Sequence, residues 1–308
     1  MRSLRPAAVA TVCSLGFVLS FYGPDILACR LYTVDENPAH NNSDTVNQPT
    51  TEESSAIPQQ PLNPVAARCL FCSDYLHLLG QDIGYVLAAP MHWEEPERQT
   101  FFQDTLIVVG AMVLLDGSAK EAALDNQNGT TSRTIANSFE PFGANYSFAV
   151  LGGFYLAGAV FDQPGAAGVA RDGVAASIIA SGMITPFLKV TVGRIRPNHS
   201  DGDEFGPFKG GQSFPSGHTT QAFAVASVIS EHYNTLWVRS ATYGTASLVG
   251  YARIDHNAHF LSDVLAGAMI GTAVGKSVVH FNARTGDRVQ VLPIITPGER
   301  GLTLQWLF

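Results

Sequence analysis

Residues 214–232 read FPSGHTTQAFAVASVISEH. Ser216 stands in the position of a helix N-cap, and apolar and Ala residues follow at helical spacing to about His232, so the stretch predicts one apolar helix. Gly217 lets a ligand come close to the free N–H groups of the first turn, where the positive end of the helix favours an anion. A protonated His218 works against that dipole, which hints at another use for the ring. An ordinary capped helix start is the plainer reading of the same residues.

On either side, apolar, Ala-rich and Gly-rich segments predict helices over 70–88, 94–116, 131–139, 147–162, 166–193, 235–253 and 258–282, punctuated by Pro, Gly, Asn and Asp. The fold class is therefore all-α, a helical bundle. Strand signals are confined to the end. Arg288 to Ile295, a Thr296-Pro297-Gly298 turn and Gly301 to Phe308 read as a short C-terminal β-hairpin over 288–308. The last segment alternates and ends in Phe like a final outer-membrane strand, but one hairpin makes no barrel, which takes on the order of eight strands or more.

Residues 1–29 read as a signal peptide or N-terminal anchor: Arg2 and Arg5 precede an uncharged run from Ala7 to Pro24, and Ala28 offers a cleavage point. The run is short of the ~20 residues of a spanning helix, which favours cleavage over a retained anchor. Ile26 to Cys29 has a faint likeness to a lipoprotein cleavage box, with Asp25 and Leu27 poor matches. Residues 30–66, rich in Pro, Asn, Ser, Thr and Gln from Glu36 onward, bury too little to offset chain entropy and predict a disordered linker. A helical domain over 67–287 follows. The expected localisation is exported, periplasmic or membrane-associated. Cys69 and Cys72 form a CxxC without a second pair; a local disulfide or a buried pair fits an exported chain better than a redox centre.

Hydrophobic residues make up 46% of the 308, but charged residues only 14%, where soluble chains average roughly 25%, so polar surface is sparse or partly replaced by membrane. A net charge of −8 argues against nucleic acid, which demands a basic face. Any anionic ligand must be gripped by a few well-placed cations. The uncharged runs within Asp104–Asp116, Asp172–Lys189, Arg239–Arg253 and Asp263–Lys276 hold eleven to sixteen residues. At ~1.5 Å per residue these reach about 16–24 Å, short of a ~30 Å hydrocarbon core. Only Pro141 to Phe161 is long enough, and it carries Asn145, Ser147 and glycines. The lengths favour a compact helical globule over a multi-span protein.

Two further clusters carry candidate chemistry. Lys189, Arg194 and Arg196 converge before Pro197 while cations are scarce elsewhere; a helix C-terminal turn complementing the dipole is the bland alternative. In Arg253-Ile-Asp255-His256-Asn-Ala-His259-Phe-Leu-Ser-Asp263, His259 and Asp263 are four apart, so the carboxylate can hold one imidazole nitrogen and leave the other as nucleophile or base. A structural His–Asp pair fits that spacing equally. A metal site with His256 lacks a second carboxylate or cysteine at ligand spacing. Taken together, three cations, a helix start and two histidines are what phosphoryl transfer asks for: charge stabilisation, an attacking atom and a proton for the leaving oxygen.

The spacing Lys189-x6-Arg196-Pro197, then Pro215-Ser216-Gly217-His218, then Arg253-x5-His259-x3-Asp263 resembles the full signature of the type 2 phosphatidic acid phosphatase and vanadium haloperoxidase superfamily, over about 75 residues. The departure is Ala252, where the family usually has Ser before the Arg. The resemblance implies that Lys189, Arg196 and Arg253 hold the phosphate oxygens with Ser216 and the Gly217 amide. His259 would attack phosphorus, oriented by Asp263, and His218 would protonate the leaving group. It implies a metal-independent phosphatase forming a phosphohistidine, with a phosphorylated lipid such as phosphatidate or an isoprenyl diphosphate, or a small phosphate ester, as partner. Two alternatives are a haloperoxidase holding vanadate as cofactor in the same pocket, and a non-catalytic scaffold binding anionic lipid. Arg194, Asp255 and His256 are expected beside the site or at the surface. The loop 198–212 is expected to rim the pocket, with Asp201, Asp203, Glu204 and Lys209 tuning substrate choice and His199 a polar loop residue.

Overall fold

The computed structural model describes residue 70, residues 73–126, 129–199 and 205–286, and the backbone of 289–296 and 299–306. The predicted export segment 1–29, the linker 30–66, Cys69, Cys72 and the loop residues Asp201, Asp203 and Glu204 lie outside the described residues. The described chain is built of helices: α1 (Ser73–His92), α2 (Glu95–Leu114), α3 (Asp116–Asn126), α4 (Thr130–Phe139), α5 (Asn145–Val160), α6 (Pro164–Ser177), α7 (Thr185–Val192), α8 (Gly217–His232), α9 (Leu236–Asp255) and α10 (Leu261–Gly286). The backbone of β1 (Val289–Thr296) lies antiparallel to that of β2 (Glu299–Trp306), with Val289 opposite Trp306.

Every predicted helix is present, with ends shifted by a few residues, and α3 is an addition. Its sequence, DGSAKEAALDN, has no apolar period to announce it. A π-helical turn, Ile178–Ile184, joins α6 to α7 in one continuous helix, Pro164–Val192. Pro186 brings no N–H for the carbonyl four residues back, and a π turn just before it absorbs that break in the ladder.

The centre of the bundle is α8, buried from Thr219 to Val228, against α10. Their approach is set by glycine. A Cβ on Gly271 would lie 2.4 Å from the Thr220 carbonyl oxygen and one on Gly275 would lie 1.9 Å from Ser227 Oγ, so only hydrogen fits on this face of α10. Leu151, Val169, Ile179, Val228, Val274 and Val278 fill the core around the pair.

The spanning expectation is corrected. Pro164–Val192, 29 residues, and Leu261–Arg284, 24 residues, are each long and apolar enough to cross a membrane, and α2 with α3, bent by 61°, passes the same test as a broken pair. The uninterrupted candidate Pro141 to Phe161 instead divides into a short 3-10 turn, Glu140–Gly143, and the 16-residue α5. Counting residues between charges misjudged the helices because their charges are neutralised inside the bundle. Arg171 Nε donates to Asp172 Oδ1 at 2.7 Å, and the other Asp172 oxygen lies 2.9 Å from His232 Nε2. Large apolar side chains meanwhile face outward, among them Leu106, Val113, Leu156, Phe161, Phe187 and Trp237, each more than 60% exposed.

Candidate active site

Lys189 closes the last turn of α7, and its Nζ donates to the Gln212 carbonyl, tying the cation to the loop beyond. Gly193 follows in the left-handed region, φ 61°, and its N–H caps the helix on the Lys189 carbonyl at 2.9 Å. That turn is open only to glycine: a Cβ there would lie 2.0 Å from the Gly206 carbonyl oxygen. Beyond it, Arg194 turns into the protein interior, whereas Arg196 stays partly exposed. Arg196 carries its charge beside Lys189 and His218. His199 and Lys209 are exposed on the loop.

The start of α8 is fastened to the start of α10, because the Ser216 N–H donates to the Asp263 carbonyl at 3.0 Å. Ser216 holds the N-cap position as expected, but its hydroxyl does not cap the backbone. It accepts from Thr219 Oγ1 at 2.9 Å, which leaves the first N–H groups of α8 without a side-chain cap. His218 is held against the 3-10 turn, where a Cβ on Gly143 would lie 2.7 Å from its own. Burial, then the Arg196 and Lys189 charges, pull the His218 ring below its ordinary pKa.

Arg253 lies in the last turn of α9, buried, with Nη1 paired to Glu140 Oε1. The other Glu140 oxygen lies 3.1 Å from His256 Nδ1, and His256 Nε2 lies 3.0 Å from Asn137 Oδ1. Asp255 points elsewhere, taking the Ser132 hydroxyl and, at 3.3 Å, that of Tyr251. Ala252 is fully buried.

His259 is 3% exposed. Its Nδ1 faces Asp263 Oδ2 at 3.5 Å, so Nε2 is the nitrogen left for chemistry. Burial is the main cause that brings its pKa down to about 4, outweighing the opposing Asp263 carboxylate, with Lys189 and Arg253 adding to the fall. The ring is thus a neutral base at neutral pH. Asp263 is itself tightly held. Oδ2 accepts from Ser213 Oγ at 2.5 Å and from the Phe260 N–H at 2.9 Å, while Oδ1 accepts from Arg194 Nη1 at 2.8 Å.

Lys189, Arg196, His218, Arg253, His259 and Asp263 therefore come from four element ends that the fold gathers on one side of α8 and α10. The residues that sequence reasoning did not single out are Glu140, Ser213, Ser262 and Asp116. Glu140 lies in the 3-10 turn, Ser213 in the loop before α8, Asp116 at the start of the aperiodic α3 and Ser262 in the first turn of α10, and nothing in their local pattern marks them. Among the described residues no group of three His, Cys, Asp or Glu side chains stands at metal-ligating distance.

A family profile described as "PAP2 superfamily" matches residues 173–287. The chain is 41% identical over 90 residues to the lipid A 1-phosphatase of Porphyromonas gingivalis, covering 29% of this chain and 18% of that protein. It is 33% identical over 126 residues to the lipid A 1-phosphatase of Rhizobium johnstonii, covering 38% of this chain and 50% of the relative. It is 33% identical over 134 residues to lipid phosphate phosphatase 1 of Arabidopsis thaliana, covering 33% and 41%. The chain thus spans half or less of the length of these relatives.

Proposed function

Because residues 173–287 match the PAP2 superfamily profile, we propose that this chain is a metal-independent phosphatase of that kind, acting on a membrane-borne phosphate monoester or diphosphate through a phosphohistidine. The observation that carries this reading is His259, buried, neutral and backed by Asp263, beside a group of cations.

The chemistry follows from the side chains. The phosphate oxygens are held by Lys189, Arg196, Arg253 and the free N–H groups at the start of α8, which offset the charge spread over the equatorial oxygens. Ser216, the N-cap residue, is the further phosphate-binding group of this reading. His259 Nε2 attacks phosphorus along the line of the ester bond; the N–P bond forms as the P–O bond breaks, and the leaving oxygen takes a proton from His218. Bringing a phosphate dianion beside His218 opposes the pull of its cationic neighbours, so the ring can carry that proton. His218, now neutral, then takes a proton from water as the water oxygen attacks phosphorus. The N–P bond breaks and inorganic phosphate leaves. Glu140 occupies Arg253 and His256 until the substrate phosphate displaces it.

Relatives named lipid A 1-phosphatase and lipid phosphate phosphatase support a phosphorylated lipid as substrate, and the two long apolar helices support membrane association. The proposed organisation is a signal peptide or N-terminal anchor over 1–29, a tether over 30–66, the phosphatase domain over 67–287 and a hairpin tail over 288–308.

Release of inorganic phosphate from phosphatidate, lipid A and an aryl phosphate by the detergent-purified full chain tests the reading. Vanadate-sensitive release that His259→Ala abolishes is expected. Vanadate- and peroxide-dependent halide oxidation without phosphate release would replace it with the haloperoxidase alternative.

A further inference from the structure

We propose that Arg194 and Asp116 are positioning residues, a buried relay behind Asp263 that fixes which of its oxygens faces His259 and what charge it presents. The inference rests on the phosphohistidine reading and adds two residues to it, one of them outside the matched stretch 173–287.

Arg194 stands two residues before the phosphate-gripping Arg196, yet its side chain is 0% exposed. Nη1 donates to Asp263 Oδ1 at 2.8 Å and to Ser262 Oγ at 2.7 Å, and Nη2 donates to Asp116 Oδ2 at 2.7 Å. The guanidinium also lies over the Phe260 ring, 3.8 Å from its centroid. Asp116 is in turn locked to α10, its Oδ1 accepting the Ser262 N–H at 2.9 Å and its Oδ2 the Ser262 hydroxyl at 2.5 Å. The bend between α2 and α3 brings this carboxylate inward, since Asp116 is the first residue of α3.

Two consequences follow. With Oδ1 engaged by Arg194 and Oδ2 by Ser213 and the Phe260 N–H, the Asp263 carboxylate cannot rotate, and only Oδ2 faces His259. The second consequence is electrostatic. An arginine alone behind Asp263 would cancel the charge that stabilises the imidazole as it becomes a phosphorylated, positively charged ring. Asp116 gives Arg194 its own counter-ion, so Asp116, Arg194 and Asp263 together keep a net charge of −1 next to His259.

A purely structural ion pair joining α3 to α10 would show the same bonds, so the test separates stability from turnover. Arg194→Gln alone leaves two buried carboxylates facing each other and is a poor probe. The double variant Arg194→Gln with Asp116→Asn removes one charge of each sign and preserves size. In detergent-purified full chain it is expected to melt within a few degrees of wild type, to keep its inhibition by inorganic phosphate within about twofold, and to lose about 100-fold in kcat through misplacement of Asp263. Asp116→Asn alone, nearly isosteric, is expected to lower kcat about tenfold with the same phosphate inhibition, through loss of the net negative charge. Full turnover in either variant overturns the relay, as does phosphate inhibition that weakens in step with kcat, which would put Arg194 on the substrate. Retained activity in His259→Ala would overturn the phosphohistidine reading instead, so the two failures are told apart.

Discussion

At His259, the proposed nucleophile, two demands meet: a nucleophile must be unprotonated, and a ring beside a carboxylate tends to gain a proton. Burial wins, leaving the pKa at about 4 against an ordinary 6.5. The acid limb of kcat/KM that belongs to His259 is therefore expected near pH 4, once the substrate phosphate's own titration near pH ~6 is divided out. A limb near pH 6.5 would show a solvated histidine. The sign for stability follows from the same shift. Between about 6.5 and 4 the unfolded chain takes up a proton on His259 that the folded chain refuses, so this group's stability, present above pH 6.5, is lost as pH falls. The meeting of Lys189, Arg196, His218, Arg253, His259 and Asp263 was legible in the sequence, because motif spacing reports residues that share a helix face or a helix end. Arg194 was visible as a third cation, but its burial was not. Its partner Asp116 lies 78 positions away, and no local pattern encodes that meeting.

Between elements, the contact that aligns the site is α8 on α10. Ser216 and His218 sit at the start of one helix, His259 and Asp263 at the start of the other, and one backbone bond joins them. Gly271→Leu would drive a side chain into the Thr220 carbonyl and the Ala224 N–H two turns below, so the helices must part. A fall in melting temperature with kcat reduced at least about tenfold is expected, measured in detergent by thermal unfolding and phosphate release. Wild-type values for both would mean that the interface yields without moving the site. Helix periodicity was readable for the elements that bury an apolar stripe. It failed for α3, whose hold on the bundle includes buried Asp116 rather than an apolar period, and for the π turn, which depends on Pro186 within an otherwise continuous helix.

Across the described residues as a whole, the low charge has a physical explanation. The surface replaces charge with large apolar side chains, while several of the few charges are paired inside, as in Arg171–Asp172 and Arg194–Asp263. Exposed apolar area of this kind, together with two helices long and apolar enough to cross a membrane, supports the proposed membrane association. The full chain is expected to stay in the pellet when membranes are washed with alkaline carbonate and to enter solution only with detergent. Release by carbonate alone would return the molecule to the compact, water-facing globule that charge spacing suggested. Scarce cations also read differently once folded. Those that grip the proposed phosphate lie beside one another at the ends of α7 and α9 and in the loop after α7, so an acidic chain presents a local anion site.

The most direct measurement is to quench the enzyme in alkali during turnover, which preserves phosphoryl–nitrogen bonds, and to map the peptides by mass. A phosphoryl group on the peptide holding His259, absent from Asp263→Asn turned over for the same time or much reduced there, is expected. An active enzyme with no phosphoryl group on that peptide, or with the label on another residue, would contradict the account.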